Sequence, residues 1–174
     1  SNICLYALGM GLLRAKNLGE LCLSTVDVSE STASALTLGL MSTDCLKILI
    51  FQRCRLSDQV IKLLAKGLAD NATLRQLEVD KCQFAHQLLQ QDEGFIQILA
   101  SMNHHPSLIN LKAVGIAWTP SSMQALCALM KRQQLKHLDL NCCMETPNEP
   151  SESVCRQSLA PIISSLPSNL SLQT

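Results

Sequence analysis

The most reactive side chains of this sequence are nine cysteines and four histidines, and two groupings of them suggest chemistry. The first is a thiol nucleophile, in which Cys22 or Cys142 would need His137 as a base within hydrogen-bond reach. Cys22 and His137 lie four predicted strands apart, which corresponds to about 20 Å at the usual strand spacing. No acidic residue near Cys142 stands where it would orient His137. The sequence therefore predicts no catalytic site, and we expect a protein that is not an enzyme.

The second grouping is a possible zinc site built from His104-His105 and Cys142-Cys143. Zinc ligands within one pair are usually two to four residues apart, and adjacent side chains cannot both point at one ion without strain. The chain also lacks a Cys-x-x-Cys motif. Gly9-x-Gly11 is not followed by Lys-Ser or Lys-Thr, so it predicts no phosphate-binding loop. We expect no metal ion and no cofactor.

The elements that must position any binding site come from a leucine ladder. Each rung reads Leu-x-x-Leu-x-Leu or a close variant, and the alternation within a rung predicts a half-buried strand. The rungs recur at an almost constant interval, which is longer only in the third unit. A unit of this length cannot bury its own apolar face, so neighbouring units must stack on a shared core. The rungs begin at Leu18, Leu46, Leu74, Leu108 and Leu135.

A helix is predicted after each strand. In the second unit Ser57 is a candidate N-cap, and apolar residues follow at helical spacing from Val60 to Leu68. In the fourth unit Thr119 is the candidate N-cap and Pro120 the first helical residue, where its missing donor costs nothing. The matching helices of the first and third units are predicted at 31–41 and 93–102.

Cysteine at the ninth position of the unit carries a family resemblance. The segments Leu46-Lys-Ile-Leu-Ile-Phe-Gln-Arg-Cys54 and Leu74-Arg-Gln-Leu-Glu-Val-Asp-Lys-Cys82 resemble the ribonuclease-inhibitor-like subclass of leucine-rich repeats. The resemblance covers about residues 15 to 170. It implies an α/β fold, a leucine-rich repeat solenoid (horseshoe) with parallel strands on the concave face and helices on the convex face. It implies a scaffold rather than a specific activity, since the family binds unrelated partners.

Three features depart from the regular unit: extra residues at 86–92, an insertion at 145–150, and the undersized Ala113 in its rung. Insertions in stacked repeats become loops on one face, where partners often dock. Tolerated loop variation is the competing interpretation of both insertions.

The pattern predicts one domain over residues 1–174, with about five full units and a partial unit at each end. The apolar segment 3–13 is predicted to be the helix of a preceding unit, and Leu170-Ser-Leu172 the start of another strand. Neither end shows the polar cap that stacked repeats require. We therefore expect the chain to be a piece of a longer protein.

Charge and cysteine content narrow the classes of partner and the compartment. Fourteen basic and fourteen acidic residues give a formal net charge of zero, and basic residues form no run. This disfavours nucleic acid and anionic membranes as partners. Segment 3–13 is too short to span a bilayer. The cysteine count is odd and several cysteines fall at core positions, so we expect free thiols in a reducing, cytoplasmic compartment.

The outward strand positions form the candidate binding surface, because they align across stacked units. Ile48 and Ile50 suggest an exposed apolar centre. Glu78, Asp80 and Asp139 form an acidic stretch, which favours a partner with a basic surface. The full predicted set is Glu20, Ile48, Ile50, Gln52, Gln76, Glu78, Asp80, Asn110, Lys112, His137, Asp139 and Asn141.

The expected function is a protein–protein interaction module. Two settings fit: the recognition region of a bacterial effector secreted into host cytosol, or the sensor repeats of a cytosolic receptor. The enzyme-linked alternative is a targeting domain of a larger enzyme, or a GTPase-activating domain that uses Arg53, Arg55 or Asn141 at a repeat edge. A purely structural spacer is the remaining alternative.

Overall fold

A computed structural model describes residues 2–85, 93–103, 105–116, 120–132, 135–140 and 171–173 of the chain. Within these residues the fold is α/β, as predicted, with parallel strands and five helices. The helices are α1 (Asn2–Leu12), α2 (Glu30–Ser42), α3 (Asp58–Asp70), α4 (Glu93–Ser101) and α5 (Pro120–Arg132). The strands are β1 (Glu20–Ser24), β2 (Asp27–Val28), β3 (Ile48–Gln52), β4 (Arg55–Ser57), β5 (Gln76–Asp80), β6 (Gln83–Ala85), β7 (Asn110–Val114), β8 (His137–Asp139) and β9 (Ser171–Gln173).

One strand from each ladder rung enters a six-stranded parallel sheet, in the order β1-β3-β5-β7-β8-β9. Leu21 pairs with Leu49 and Leu49 with Leu77, so equivalent residues of successive units are neighbours in the sheet. Leu77 pairs with Leu111, its equivalent across the longer third unit. The extra length of that unit therefore leaves the alignment of the rows unchanged. The short strands β2, β4 and β6 form a second parallel sheet beside the first.

The core lies between the six-stranded sheet and the helices. Alternate strand residues such as Leu49 and Phe51 are buried, and they belong to one continuous apolar cluster that extends from Leu12 to Leu140. Burial of one such side chain contributes about 1.5–3 kcal/mol. Ala113, expected to be undersized, is also fully buried. The apolar ladder thus forms a single core that several units share.

Serine side chains start the helices of the first two units. The Ser57 hydroxyl accepts a hydrogen bond from the Val60 N–H at 3.4 Å, as predicted. Ser29 does the same for Thr32 at 3.3 Å, so α2 begins at Glu30, one residue before the predicted start. Pro120 is the first residue of α5, and Thr119 lies outside the described residues.

The residue after each long strand adopts a left-handed backbone conformation. Thr25, Arg53 and Lys81 have φ angles of 56°, 51° and 50°, and Gly115 occupies the same position with φ 66°. This conformation costs a residue other than glycine about 1–2 kcal/mol. It directs the N–H of Arg53 to the Asp80 carbonyl oxygen at 2.7 Å, and the Thr25 and Lys81 N–H groups make equivalent bonds at 2.8 Å. The strain is thus repeated in the first three units and offset in each by a bond to the next unit.

The ninth-position cysteines point into the core. The Cys54 and Cys82 thiols donate to the carbonyl oxygens of Leu23 and Phe51, at 3.2 and 3.4 Å. Hydrogen bonding to Cys54 and burial raise the pKa of Cys82, which keeps that thiol protonated at neutral pH. The six cysteines among the described residues are all free thiols. Cys143 lies outside the described residues, as do 86–92 and 145–150.

The helices are shorter than a bilayer requires. Within the described residues, none is both long and apolar enough to cross a membrane.

Candidate interaction surface

The structure aligns the predicted binding residues on one side of the six-stranded sheet, which we call the outer sheet face. Every predicted residue lies there except Asn141, which is outside the described residues. The rows follow from the strand register and run across the units. They comprise Glu20, Ile48, Gln76, Asn110 and His137; Cys22, Ile50, Glu78, Lys112 and Asp139; and Ser24, Gln52, Asp80 and Val114.

The third row contains a hydrogen-bonded chain across three strands. The Ser24 hydroxyl donates to Gln52 Oε1 at 3.3 Å, and Gln52 Nε2 donates to Asp80 Oδ2 at 3.1 Å. The Asp80 Oδ1 atom is buried and has no hydrogen-bond partner among the described residues. An unsatisfied buried acceptor carries a desolvation cost, so a donor from a bound molecule or a water would be favourable here.

The central row contains an ion pair. Lys112 Nζ lies 2.8 Å from Glu78 Oε1, and the two side chains are 39% and 14% exposed. The hydrogen bond that Lys112 donates to Glu78 raises the pKa of Lys112, and the charges of Glu78, Asp139 and Asp80 add to the effect. Asp139 is the neighbour of Lys112 on the opposite side from Glu78 in this row. One lysine therefore lies between two carboxylates on three adjacent strands.

A cavity of about 190 Å³ lies between the first and central rows on β5, β7 and β8. Asn110 Nδ2 donates to Gln76 Oε1 at 3.3 Å on its wall, while the buried Asn110 Oδ1 has no partner among the described residues. The cavity is large enough for one side chain of a partner but small for a cofactor. Its lining consists of Gln76, Asn110, Leu111, Lys112, His137, Leu138 and Asp139.

Two expectations about the chemistry of this surface need correction. Ile48 and Ile50 are half-buried rather than exposed, because side chains of both neighbouring strands flank them. The acidic stretch is also partly neutralised, since Glu78 is paired with Lys112 and Asp80 accepts from Gln52. Asp139 is half-buried. The surface is therefore less apolar and less acidic than the sequence suggests.

Among the described residues, those considered for chemistry are not brought together. Cys22 lies on β1 and His137 on β8, four strands apart in the sheet. His105 is buried, and its Nδ1 accepts from the Ser107 N–H at 3.3 Å. Cys142, Cys143 and His104 lie outside the described residues. Across the described ranges, no three His, Cys, Asp or Glu side chains are grouped so as to hold a metal ion.

A set of buried polar residues was missed by the sequence analysis. Thr43, Asn71 and His105 each stand three residues before a ladder leucine, and all three are buried. The Asn71 and His105 side chains each accept from the N–H two residues later, and the Thr43 hydroxyl contacts the Cys45 thiol at 3.3 Å. Asn71 and His105 thereby order the chain that enters β5 and β7. Their constant distance from the ladder leucine is the signal that would have found them.

A comparison with models of known protein families finds no match for this chain, and a search of curated proteins finds none. The function is therefore inferred from the residues and geometry of the outer sheet face.

Proposed function

We propose that this chain is a leucine-rich repeat solenoid of the ribonuclease-inhibitor-like subclass, and that its outer sheet face is the concave wall that binds a partner protein. The regular pairing of equivalent strand residues from successive units supports the architecture. The single observation that carries the binding proposal is the polar cavity, which collects side chains from three adjacent strands. Stacked repeats use such aligned side chains as extended binding surfaces.

The bound partner places a basic side chain at the centre of its contact with the outer sheet face. Glu78 and Lys112 neutralise each other, so Asp80, Asp139 and Glu20 give the face an excess of negative charge. A cationic group placed in the cavity would approach Asp139 and the amide oxygens of its wall. Charge complementarity of this kind mainly raises the association rate and selects the partner.

The affinity should be concentrated in a few residues close to the cavity. Ile48 and Ile50 would add apolar contact on β3, next to β5 and its cavity residues. The cytosol is the proposed compartment, because free buried thiols suit a reducing environment. Recognition by a bacterial effector in host cytosol and sensing by a cytosolic receptor both use such a module.

A GTPase-activating role is the second candidate, because Arg53 is exposed beside the outer sheet face at the end of β3. Arg55 is less suited, since its Nε already donates to Gln83 Oε1 at 3.1 Å. A GTP-hydrolysis assay with wild-type and Arg53→Ala chains would detect this activity. We favour partner binding, because the cavity and its aligned side chains lie on the sheet rather than at this turn.

The test begins with affinity capture from lysate and identification of the captured protein by mass spectrometry. Asp80→Lys and Asp139→Lys are then compared with the wild type in binding kinetics. We expect the association rate to fall by ~10-fold or more with little change in dissociation. Asp70→Lys is the matched control, because Asp70 is an exposed carboxylate at the end of α3, away from the sheet. Equal binding by all variants would contradict the proposal.

A further inference from the structure

We propose that α1 and the edge of β1 that faces away from β3 form a docking face for a further strand–helix unit of this same repeat. We call this surface the end face; it consists of Cys4, Ala7 and Gly11 on α1 together with that edge of β1, which pairs with no other strand among the described residues. The inference rests on the stacked-repeat architecture of the proposed function. It concerns the end of the stack, whereas partner binding concerns the outer sheet face.

The end face repeats positions that are buried one unit later. Cys4 and Ala7 are exposed, whereas Thr32 and Ala35, their equivalents in α2, are 0% and 1% exposed. In the next helix Val60 occupies the position of Cys4 and Thr32 and is again fully buried. Ala35 lies against α1, where a Cβ atom at Gly9 would be 2.8 Å from the Ala35 Cβ. In α1 the same positions are open to solvent.

Glycines at equivalent positions of successive helices show how closely the helices approach. A Cβ atom at Gly39 in α2 would lie 2.9 Å from the Gly9 carbonyl oxygen and 2.6 Å from the Leu12 Cβ of α1. At Gly67 in α3 it would meet Thr37 and Leu40 of α2, which are the equivalents of Gly9 and Leu12 one unit later. The same contact therefore recurs between α1 and α2 and between α2 and α3.

Gly11 is the equivalent of Gly39 one unit earlier, but a Cβ there would have no atom within 4 Å. Glycine weakens a helix interior unless a close contact requires it. Gly11 is therefore a glycine, as at the close contacts of Gly39 and Gly67, but the space beside it is open.

The composition of α1 suits a covered helix. Residues 2–13 contain no charged side chain. A helix that is apolar on all sides is typically buried. Beside it, β1 is the terminal strand of the six-stranded sheet, so one edge of its backbone faces away from β3. An open strand edge readily pairs with another strand.

The occupant is a helix followed by a parallel strand, as in residues 29–56, so that its helix packs on α1 and its strand pairs with β1. Every strand pair of the sheet is parallel, and each helix packs on the helix of the adjacent unit. The end face continues these two interfaces without interruption. A single unit cannot bury its own apolar face, so the occupant is tested as part of the same chain.

The experiment extends the chain with its own repeat. Residues 29–56 are fused directly before Ser1. Ser1 then occupies the same position in its repeat unit as Ser29 and Ser57. Alkylation of each cysteine by N-ethylmaleimide is followed by peptide mass spectrometry. We expect Cys4 to react at least ~10-fold more slowly in the extended chain, because stacking limits access to rare local openings. Cys127 on α5, which is half-buried, is the distant control and should not change.

Gly11→Leu provides a second readout that does not depend on thiol chemistry. In the original chain the new side chain meets open space, so the thermal midpoint should stay the same or rise. In the extended chain it would collide with the added helix, and the midpoint should fall. Gly39→Leu is the control and should lower the midpoint in both chains, because its contacts are already present.

Two results would overturn the inference. One is equal reactivity of Cys4 in the two chains, and the other is an unchanged effect of Gly11→Leu. Concentration-dependent protection of Cys4 in the original chain would assign the face to a second copy instead. None of these results affects capture of a partner through Asp80 and Asp139, so the two proposals fail separately.

Discussion

The side-chain amide of Asn71 donates a 2.7 Å hydrogen bond to the main-chain carbonyl oxygen of Leu40 in the preceding unit. The amide oxygen accepts from the N–H groups of Thr73 and Leu74 at 2.9 and 2.8 Å. One buried side chain therefore joins the end of α2 to the chain entering β5. Asn71→Ala should lower the free energy of unfolding by about 2–3 kcal/mol, because buried backbone groups lose their partners. Urea denaturation would measure the loss.

Asn17→Ala is the control for this prediction, because Asn17 is exposed. Its effect should stay within about 0.5 kcal/mol. A similar loss in both variants would show that the Asn71 bonds contribute nothing specific.

The ion pair between Glu78 and Lys112 should contribute little to stability. A double-mutant cycle with Glu78→Gln and Lys112→Met should give a coupling energy of about 0.5–1 kcal/mol, since Lys112 is partly exposed and water screens the pair. The coupling should decrease as salt is added. A coupling well above this range would indicate that the pair is a structural element rather than part of an adaptable surface.

Stability should fall under mildly acidic conditions because of His105. Burial lowers the pKa of this imidazole in the folded chain, so the unfolded chain binds the proton more readily. The contribution is constant above about pH 6.5 and is lost below it, by at most about 1.4 kcal/mol per pH unit. Urea denaturation at pH 7.5 and 5.5 would measure it. His105→Asn, which installs the residue found at the equivalent Asn71, should reduce this pH dependence; an unchanged pH profile would remove His105 as its source.

The outward side of α1 should tolerate charge. Tyr6 and Met10 are exposed, and their equivalents two units later, Lys62 and Lys66, are exposed lysines on α3. Tyr6→Lys and Met10→Lys should therefore change the free energy of unfolding by less than about 0.5 kcal/mol. Equilibrium denaturation measures this, and Leu12→Lys, at a buried position, is the destabilising control. A large loss from either exposed position would mean that this side of α1 is already covered.

The strands and helices were predictable from the sequence because each unit repeats the same leucine spacing and the same order of strand and helix. The Leu46 and Leu74 rungs place their apolar residues at identical positions. A strand or helix predicted in one unit can therefore be checked against the next unit. Ser57 was recognised as a cap because serine satisfies free N–H groups at a helix start. Ser29 was overlooked, and α2 was consequently predicted to begin one residue late.

The chemistry of the outer sheet face was less predictable. The sequence identified which residues point outwards but not which of them bond to each other. The sequence groups Glu78 with Asp80 and Asp139 as an acidic stretch, because its partner Lys112 belongs to the next unit, beyond the irregular interval. Ile50 was interpreted as exposed because burial by neighbours on adjacent strands depends on their rotamers. Cross-strand contacts of this type require coordinates.

The row alignment also bears on how such a surface could change over time. Neighbours within a row belong to different units, so each unit contributes one column to a grid of contacts. Duplication of one strand–helix segment would add a column and leave the remaining columns intact. Recognition could then diversify by duplication and mutation of segments. The shared apolar core and the buried polar residues Thr43, Asn71 and His105 would stay the same.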